Sequence, residues 1–302
     1  MKIREFSTDA LYVEFLGILE EKLDILPDKD EETPQNTLVA LWNYVTCQFD
    51  SDFLTETPNL DELDANQEQR IRELISERLS GVPLAHLVKR KSFLGIEFLI
   101  ERGVYIPRKE TELLARTAIE IITNKYHKQD INVVDVCTGI GTLAISIAHK
   151  NKFANVFGVD ISENAISLAK KNVSSLRIEG SVSLYCGDLL EPLRTLNLDK
   201  KIDIVVSAPP YISTAKLEDL PQEIKQHEPE AAFDAGTFGL DIFTRIIKDS
   251  IYLLKDDGCL LLEVGLGQGK FLMKRLARNM DFKSVEGVCD ERGEVRVLVI
   301  KR

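Results

Sequence analysis

Cysteine is sparse and scattered. Cys47, Cys137, Cys186, Cys259 and Cys289 form no Cys-x-x-Cys pair and lie in no Cys/His cluster. Structural zinc is therefore not expected, nor is a disulfide framework. Reduced thiols and a cytoplasmic setting fit this usage. Long apolar runs are lacking as well: none approaches the roughly 18 residues that span a bilayer, so no membrane partner is expected. The start, Met1-Lys2-Ile3-Arg4-Glu5-Phe6, soon turns polar and acidic, which speaks against a signal peptide. Basic charge is short: 38 Lys and Arg against 49 Asp and Glu leave a net charge of −11. Tight nonspecific binding to DNA depends on clustered cations and is not expected. A basic macromolecular partner or a small substrate stays open. No internal repeat or low-complexity segment appears. The 302 residues are 44% hydrophobic and 29% charged, an ordinary soluble composition with room for about two domains.

The first 85 residues read as helices. Leu11, Phe15, Ile18, Leu19 and Leu23 recur at helical spacing, as do Leu38, Leu41, Trp42 and Val45, and then Ile71, Leu74, Ile75 and Leu79. Pro27, Pro34 and Pro58 punctuate them. Such stripes are core, and no catalytic cluster accompanies them. Residues 86–112 read as a linker with a hairpin: Ser92 to Ile100 and Val104 to Ile106, turning at Glu101-Arg102-Gly103. Pro107-Arg108-Lys109-Glu110-Thr111-Glu112 then opens a helix from Leu113 to Ile122.

Residues 113–302 form the third segment, where from Ile131 strands and helices alternate. Strands are expected near 131–136, 155–160, 182–186, 202–206 and 258–264, and helices near 141–150, 162–173, 239–254 and 267–280. Phe282 to Val288 and Val295 to Ile300 read as two final strands joined through Asp290-Glu291-Arg292-Gly293. This order predicts an α/β fold: a Rossmann-like, mostly parallel sheet with an antiparallel C-terminal edge, preceded by a small helical domain.

Val133 to Ala144 is a strand, a glycine turn and a helix start. Gly139 and Gly141 let the backbone approach a ligand, and Asp160, nineteen residues after Gly141, ends the next strand where a carboxylate can bind ribose hydroxyls. This much fits NAD as well as S-adenosylmethionine. Asp135, just before the turn, favours a cationic ligand over a pyrophosphate. Asp188, after the third strand, can accept from an adenine amino group or cap a turn. Both tilt the choice to S-adenosylmethionine.

After the fourth strand comes Ser207-Ala208-Pro209-Pro210-Tyr211. The prolines fix two φ angles and push the residues before them toward extended backbone. The Pro209 carbonyl is left outside any helix ladder beside the Tyr211 ring, an arrangement suited to a planar nitrogen group. Taken alone, Pro-Pro-Tyr reads as a proline-rich loop.

In this order the motifs resemble the release-factor glutamine N5-methyltransferase family of class I S-adenosylmethionine enzymes. The resemblance is carried by Gly81-Val82-Pro83-Leu84-Ala85-His86-Leu87, by Phe93 to Phe98 and by Gly103 to Glu112, with Lys109 where a second proline is usual. It continues through His227 to Ala232, Gly239-Leu240-Asp241, Leu262 to Gly265 with Gln268-Gly269, and Asp290 to Gly293. It implies that the helical domain helps recognise substrate. Asp135, Cys137, Gly139, Gly141, Asp160, Ile161, Asp188 and Leu189 would bind the cofactor, with Phe93 and Arg108 near it. Ala208, Pro209, Pro210 and Tyr211 would form the catalytic turn.

The family's motif is Asn-Pro-Pro-Tyr, and here Ala208 stands in place of the asparagine. One acceptor for the substrate nitrogen is thereby lost, and three readings follow. The chain is an N-methyltransferase acting on a nitrogen of a small molecule or amino acid, such as an amine or guanidinium. Or it methylates glutamine in release factor and is drifted or engineered at Ala208. Or it is a non-catalytic binding protein. On the first reading Glu228, Glu230 or Glu112 would replace the missing acceptor, with Pro209 and Tyr211 also holding substrate. A DNA adenine methyltransferase and an NAD-dependent dehydrogenase are the competing enzyme classes.

Overall fold

The computed structural model describes residues 10–46, 63–126 and 129–302. Its contacts divide the chain into two compact units. One comprises the described residues up to Lys91 together with Pro221–His227; the other comprises Ser92–Leu220 and Glu228–Arg302.

The first unit is helical. It contains α1 (Ala10–Lys22), α2 (Pro34–Thr46), α3 (Ala65–Leu79) and the short α4 (Leu84–Val88). The stripes read from the sequence form its core: Phe15, Leu19, Leu38, Leu41, Trp42, Ile71 and Leu74 are fully buried, and Leu11, Ile18, Leu23, Val45 and Leu79 pack against them. Pro58 lies outside the described residues. Asp64 starts α3 with a capping box. Its Oδ1 accepts from the Asn66 and Gln67 amides at 2.8 Å each, and Gln67 Oε1 accepts from the Asp64 amide at 2.9 Å.

This unit also takes in α8 (Gln222–His227), a piece from far along the chain. Glu223 of α8 is buried among charges. Lys29 Nζ donates to its Oε1 at 2.6 Å and Arg78 Nη1 to its Oε2 at 2.7 Å, while Arg78 Nη2 donates to Glu32 at 3.1 Å. All four side chains are nearly or fully buried.

The second unit begins with the turn of a hairpin. Strands β1 (Arg90–Phe93) and β2 (Ile96–Leu99) pair across Leu94-Gly95, both at positive φ (50° and 74°), as a two-residue primed turn requires. The expected hairpin is therefore tighter than read, and Val104 to Ile106 forms no strand. Val104 and Ile106 are apolar because they are buried, and the Ile106 amide donates to the Glu228 carboxylate at 2.9 Å, not to a neighbouring strand.

A turn of 3-10 helix (Lys109–Thr111) then leads into α5 (Glu112–Tyr126). The α/β core follows as β3 (Ile131–Val136), α6 (Thr142–Lys150), β4 (Ala154–Asp160), α7 (Glu163–Ser175), β5 (Val182–Cys186) and β6 (Ile202–Ser207). Beyond α8 come α9 (Asp241–Leu253), β7 (Leu254–Glu263), α10 (Gly269–Leu276), β8 (Ser284–Cys289) and β9 (Val295–Lys301). The seven-stranded sheet runs β5-β4-β3-β6-β7-β9-β8. Five strands are parallel, and β9 pairs antiparallel with β7 and β8. The Rossmann-like fold with its antiparallel edge is thus as the alternation of elements predicted. Every residue of β6 is buried, Asp203 and Ser207 included, as in a parallel sheet covered on both faces. Among the described residues no helix is long and apolar enough to cross a membrane, and the described cysteines are free.

Strand order reverses between β3 and β6. In open α/β sheets the crevice at this reversal, outside the carboxyl ends of the strands, is where ligands bind. Val136 is in register with Val159 of β4 and with Ser207 of β6, and Ser207 Oγ donates to the Val136 carbonyl at 2.6 Å. The segments leaving these strands therefore emerge side by side.

Candidate active site

The glycine turn after β3 holds three residues in left-handed backbone: Cys137 (φ 61°), Gly139 (58°) and Gly141 (88°). At Gly139 an added Cβ would meet nothing within 4 Å, so the backbone faces open space there. Gly141 is needed for packing: a Cβ would lie 2.9 Å from Ile145 Cδ1.

Gly141 opens α6 without a capping side chain, and Asp135 supplies the cap from the strand. Its Oδ2 accepts from Thr138 Oγ1 at 2.5 Å and from the Ala144 amide at 2.9 Å. Asp135 is fully buried and its Oδ1 has no protein partner. Burial pushes this carboxyl up to about 7, against the pull of Thr138 and Ala144 and with a further push from Asp160. Its expected attraction for a cation is thus joined by a structural task that the sequence reading missed.

This shift has a sign. Below the ordinary carboxylate range Asp135 is protonated in both folded and unfolded chains. As pH rises from about 4 to 7 the unfolded chain ionises while the buried group keeps its proton, so stability falls by up to ~1.4 kcal/mol per pH unit. Melting temperature should therefore drop between about pH 4 and 7, and Asp135→Asn should flatten that slope. Equal slopes in thermal scans of the two proteins would refute it.

Asp160 ties the neighbouring segments together. Its Oδ2 accepts from the Gly139 amide at 2.8 Å, its Oδ1 from the Ser162 amide at 2.9 Å, and its carbonyl from the Gly187 amide at 2.9 Å. The last bond brings the Gly187-Asp188-Leu189 segment to the same edge. Asp188 is paired with Arg245 of α9 at 2.5 Å, and Leu189 is nearly buried at φ 48°. Ile161, between Asp160 and Ser162, is 67% exposed, an apolar surface at the rim. Phe93 is buried edge-on against Phe98, with ring centroids 6.4 Å apart.

Open backbone at Gly139, the strand-end carboxylate of Asp160 and the unpartnered Asp135 Oδ1 fit a ligand that has a ribose and a cationic end. S-adenosylmethionine has both. Asp188, paired with Arg245, adds a carboxylate at the same sheet edge.

The Pro-Pro-Tyr turn leaves β6 beside this cleft. Pro209 is buried; Ala208, Pro210 and Tyr211 are half-buried. The Tyr211 carbonyl accepts from Gln268 Nε2 at 2.9 Å, and Gln268 Oε1 accepts from the Gly265 amide at 2.9 Å. Two glycines admit the tyrosine. A Cβ at Gly265 would lie 2.8 Å from Tyr211 Cδ2, and one at Gly239 (φ 68°) would lie 2.9 Å from the Tyr211 carbonyl oxygen. The Gly239-Leu240-Asp241 and Gly265…Gln268 motifs thus acquire a role as the socket of Tyr211.

The other expected contacts are engaged within the chain. Arg108 is buried, donating to the Ile106 carbonyl at 2.8 Å and to Glu228 Oε1 at 2.6 Å, with its guanidinium 5.0 Å from the Tyr105 ring centroid. Both Glu228 oxygens accept bonds from the 106–108 segment. Glu112 accepts from the Leu94 amide at 3.0 Å and from Arg116 at 2.9 Å. Glu230 is exposed. In this geometry Glu228 and Glu112 clasp the signature segments together. Among the described residues no group of three or more His, Cys, Asp or Glu is placed to hold a metal ion.

Comparison with known proteins agrees with this architecture. Residues 97–240 match the family model described as methyltransferase small domain. The chain is 34% identical over 238 residues to the release factor glutamine methyltransferase of Bacillus anthracis, covering 79% of this chain and 83% of the relative. It is 33% identical over 230 residues to that of Bacillus subtilis, covering 76% and 78%. Among solved structures, the hMettl16 catalytic domain superposes with a TM-score of 0.55 at 16% identity, covering 76% of this chain and 81% of that one, a likeness of fold. The glycine turn, the strand-end carboxylates and the sheet order are those of a class I S-adenosylmethionine-dependent methyltransferase, and on this identity and coverage the chain belongs to the release factor glutamine methyltransferase family.

Proposed function

We propose that the chain methylates the side-chain amide nitrogen of a glutamine in a peptide chain release factor. The observation that carries this is the register of β3 with β6, Val136 beside Ser207, which brings the glycine turn and the Pro-Pro-Tyr turn out next to each other. The relatives, named release factor glutamine methyltransferases, support glutamine as the acceptor, in preference to the small-molecule nitrogen expected from Ala208 alone.

S-adenosylmethionine supplies an electrophilic methyl group on a sulfonium. The chain's part is to present the nitrogen. An amide lone pair is delocalised, so the N–H₂ group must be oriented and its developing positive charge stabilised. The Pro209 carbonyl accepts one N–H, and Tyr211, fixed by Gln268, walls the site. The bound cofactor would supply the methyl group to this nitrogen, and the proton the amide gives up would pass to solvent. Ala208 contributes no acceptor, so this site orients the amide with one bond fewer.

That shortage favours a second reading, in which an amine or guanidinium nitrogen of a small molecule or amino acid is the acceptor. The test is methyl transfer from labelled S-adenosylmethionine to purified release factor, arginine and glutamine in parallel. Label in release factor is the expected result. Label only in a small molecule would overturn the first reading, and label in none would favour a non-catalytic binding protein.

A further inference from the structure

Behind Tyr211 lies a group of polar side chains that the steps above do not use. Glu263 closes β7 and is 3% exposed; Arg296 lies on the adjacent β9 and is 5% exposed. Arg296 Nη2 donates to Glu110 at 2.9 Å, and its guanidinium faces the Tyr211 hydroxyl. The Thr111 hydroxyl lies against the Glu263 carboxyl. Two atoms of this group have no partner although both are buried: Glu263 Oε2 and Arg296 Nε. Buried polar atoms without partners are uncommon in folded proteins and ask for an explanation. Filling space would need only an apolar side chain, as at Leu260, Leu261 and Leu262 just before.

We propose that Glu263, with Arg296, is a positioning residue for methyl transfer: it holds the Tyr211 ring from behind and so sets the wall of the acceptor site. This rests on the reading of the Pro-Pro-Tyr turn as that site. The Tyr211 main chain has its own support in Gln268, Gly265 and Gly239, but those contacts leave the phenol end of the ring unheld. Arg296 meets that end, and the buried Glu263 carboxyl lies near enough to act electrostatically on Tyr211 and Arg296 alike.

The charged and titratable groups around Glu263 come from every neighbouring segment: Arg296 from β9, Glu110 from the 3-10 turn, Tyr211 from the acceptor turn and Tyr105 from the segment before it. Burial pushes the Glu263 carboxyl up to about 7, against the pull of Thr111 and Arg296. The hold on Tyr211 therefore changes charge across neutral pH. Ionised Glu263 balances Arg296; protonated Glu263 leaves Arg296 to Glu110 alone.

The experiment uses the full chain labelled with 3-fluorotyrosine, the Tyr211 resonance being assigned by its loss in Tyr211→Phe. In the parent protein this resonance should move with a midpoint near pH 7, and in Glu263→Gln it should stay in place over that range. In the methyl-transfer assay Glu263→Gln should lower kcat by about 10-fold to 10²-fold, leave affinity for S-adenosylhomocysteine unchanged, and add no further loss to Tyr211→Phe. A Tyr211 resonance that titrates alike in both proteins, or independent losses in the double variant, would overturn the assignment. Absence of turnover on any acceptor would strike at the acceptor-site reading instead, while the fluorine titration still decides whether Glu263 acts on Tyr211.

Discussion

Ala208→Asn should raise the rate of methyl transfer to release-factor glutamine by roughly 10²-fold to 10³-fold, the size of effect seen when one preorganised hydrogen-bonding group is removed from a reacting centre. The support for the new side chain is already in place. Pro209 follows and keeps residue 208 toward extended backbone, Ser207 is pinned to Val136, and Tyr211 is seated by Gln268. An asparagine oxygen would give the amide a second acceptor beside the Pro209 carbonyl. Both acceptors would act on the N–H₂ group as it becomes positive, so the gain belongs in kcat. Affinity for S-adenosylhomocysteine, measured by calorimetry, should not move, because the glycine turn and Asp160 are untouched. A release-factor rate that stays flat or falls in Ala208→Asn would mean that the rest of the site is shaped for another nitrogen, and the small-molecule reading would then take precedence.

The largest expected effect on stability lies in the helical unit. Arg78→Met should destabilise that unit by about 3–5 kcal/mol, the usual consequence of removing one member of a buried ionic group. Arg78 bridges Glu223 and Glu32, and neither acid has water to fall back on. With Arg78 gone, Glu223 keeps Lys29 at 2.6 Å, while Glu32 loses its 3.1 Å bond and keeps only the more distant pull of Lys29 and Lys91. The methionine fills the space without replacing either bond, so the loss reports the stranded carboxylates. Glu32→Gln in the same background should restore part of it. Urea unfolding followed by circular dichroism measures both. A change below about 1 kcal/mol in Arg78→Met would place this cluster with solvated surface pairs. By contrast, Arg72 holds Glu14 and Glu68 in the open and should be replaceable at little cost.

The helical stripes and the alternation of strands and helices were legible because both are periodic, and periodicity is a local property. So was the Pro-Pro-Tyr turn, since Pro209, Pro210 and Tyr211 are consecutive. Side-chain partnerships were not. Arg108 and Glu228 stand 120 residues apart, so nothing in either neighbourhood marks them as a pair. Read locally, Glu228 and Glu112 look like acids available to a substrate; folded, they clasp the chain. Asp135 was found for its carboxylate, but its task as the cap of α6 depends on Gly141 having no side chain to offer. Glu263 sat inside the Leu262 to Gly265 motif without a role, because its neighbours Arg296, Thr111 and Glu110 arrive from distant segments.

The membership of Pro221–His227 in the helical unit bears on how relatives can be recombined. A chimaera joined once, at Lys91, would bring Lys29 and Arg78 from one parent and their shared acid at 223 from the other. Unless the α8 segment is transplanted with it, the graft carries two buried cations into a host that has not been selected to neutralise them. The natural unit of exchange is discontinuous in the gene, and crossovers at Lys91, Leu220 and His227 together define it.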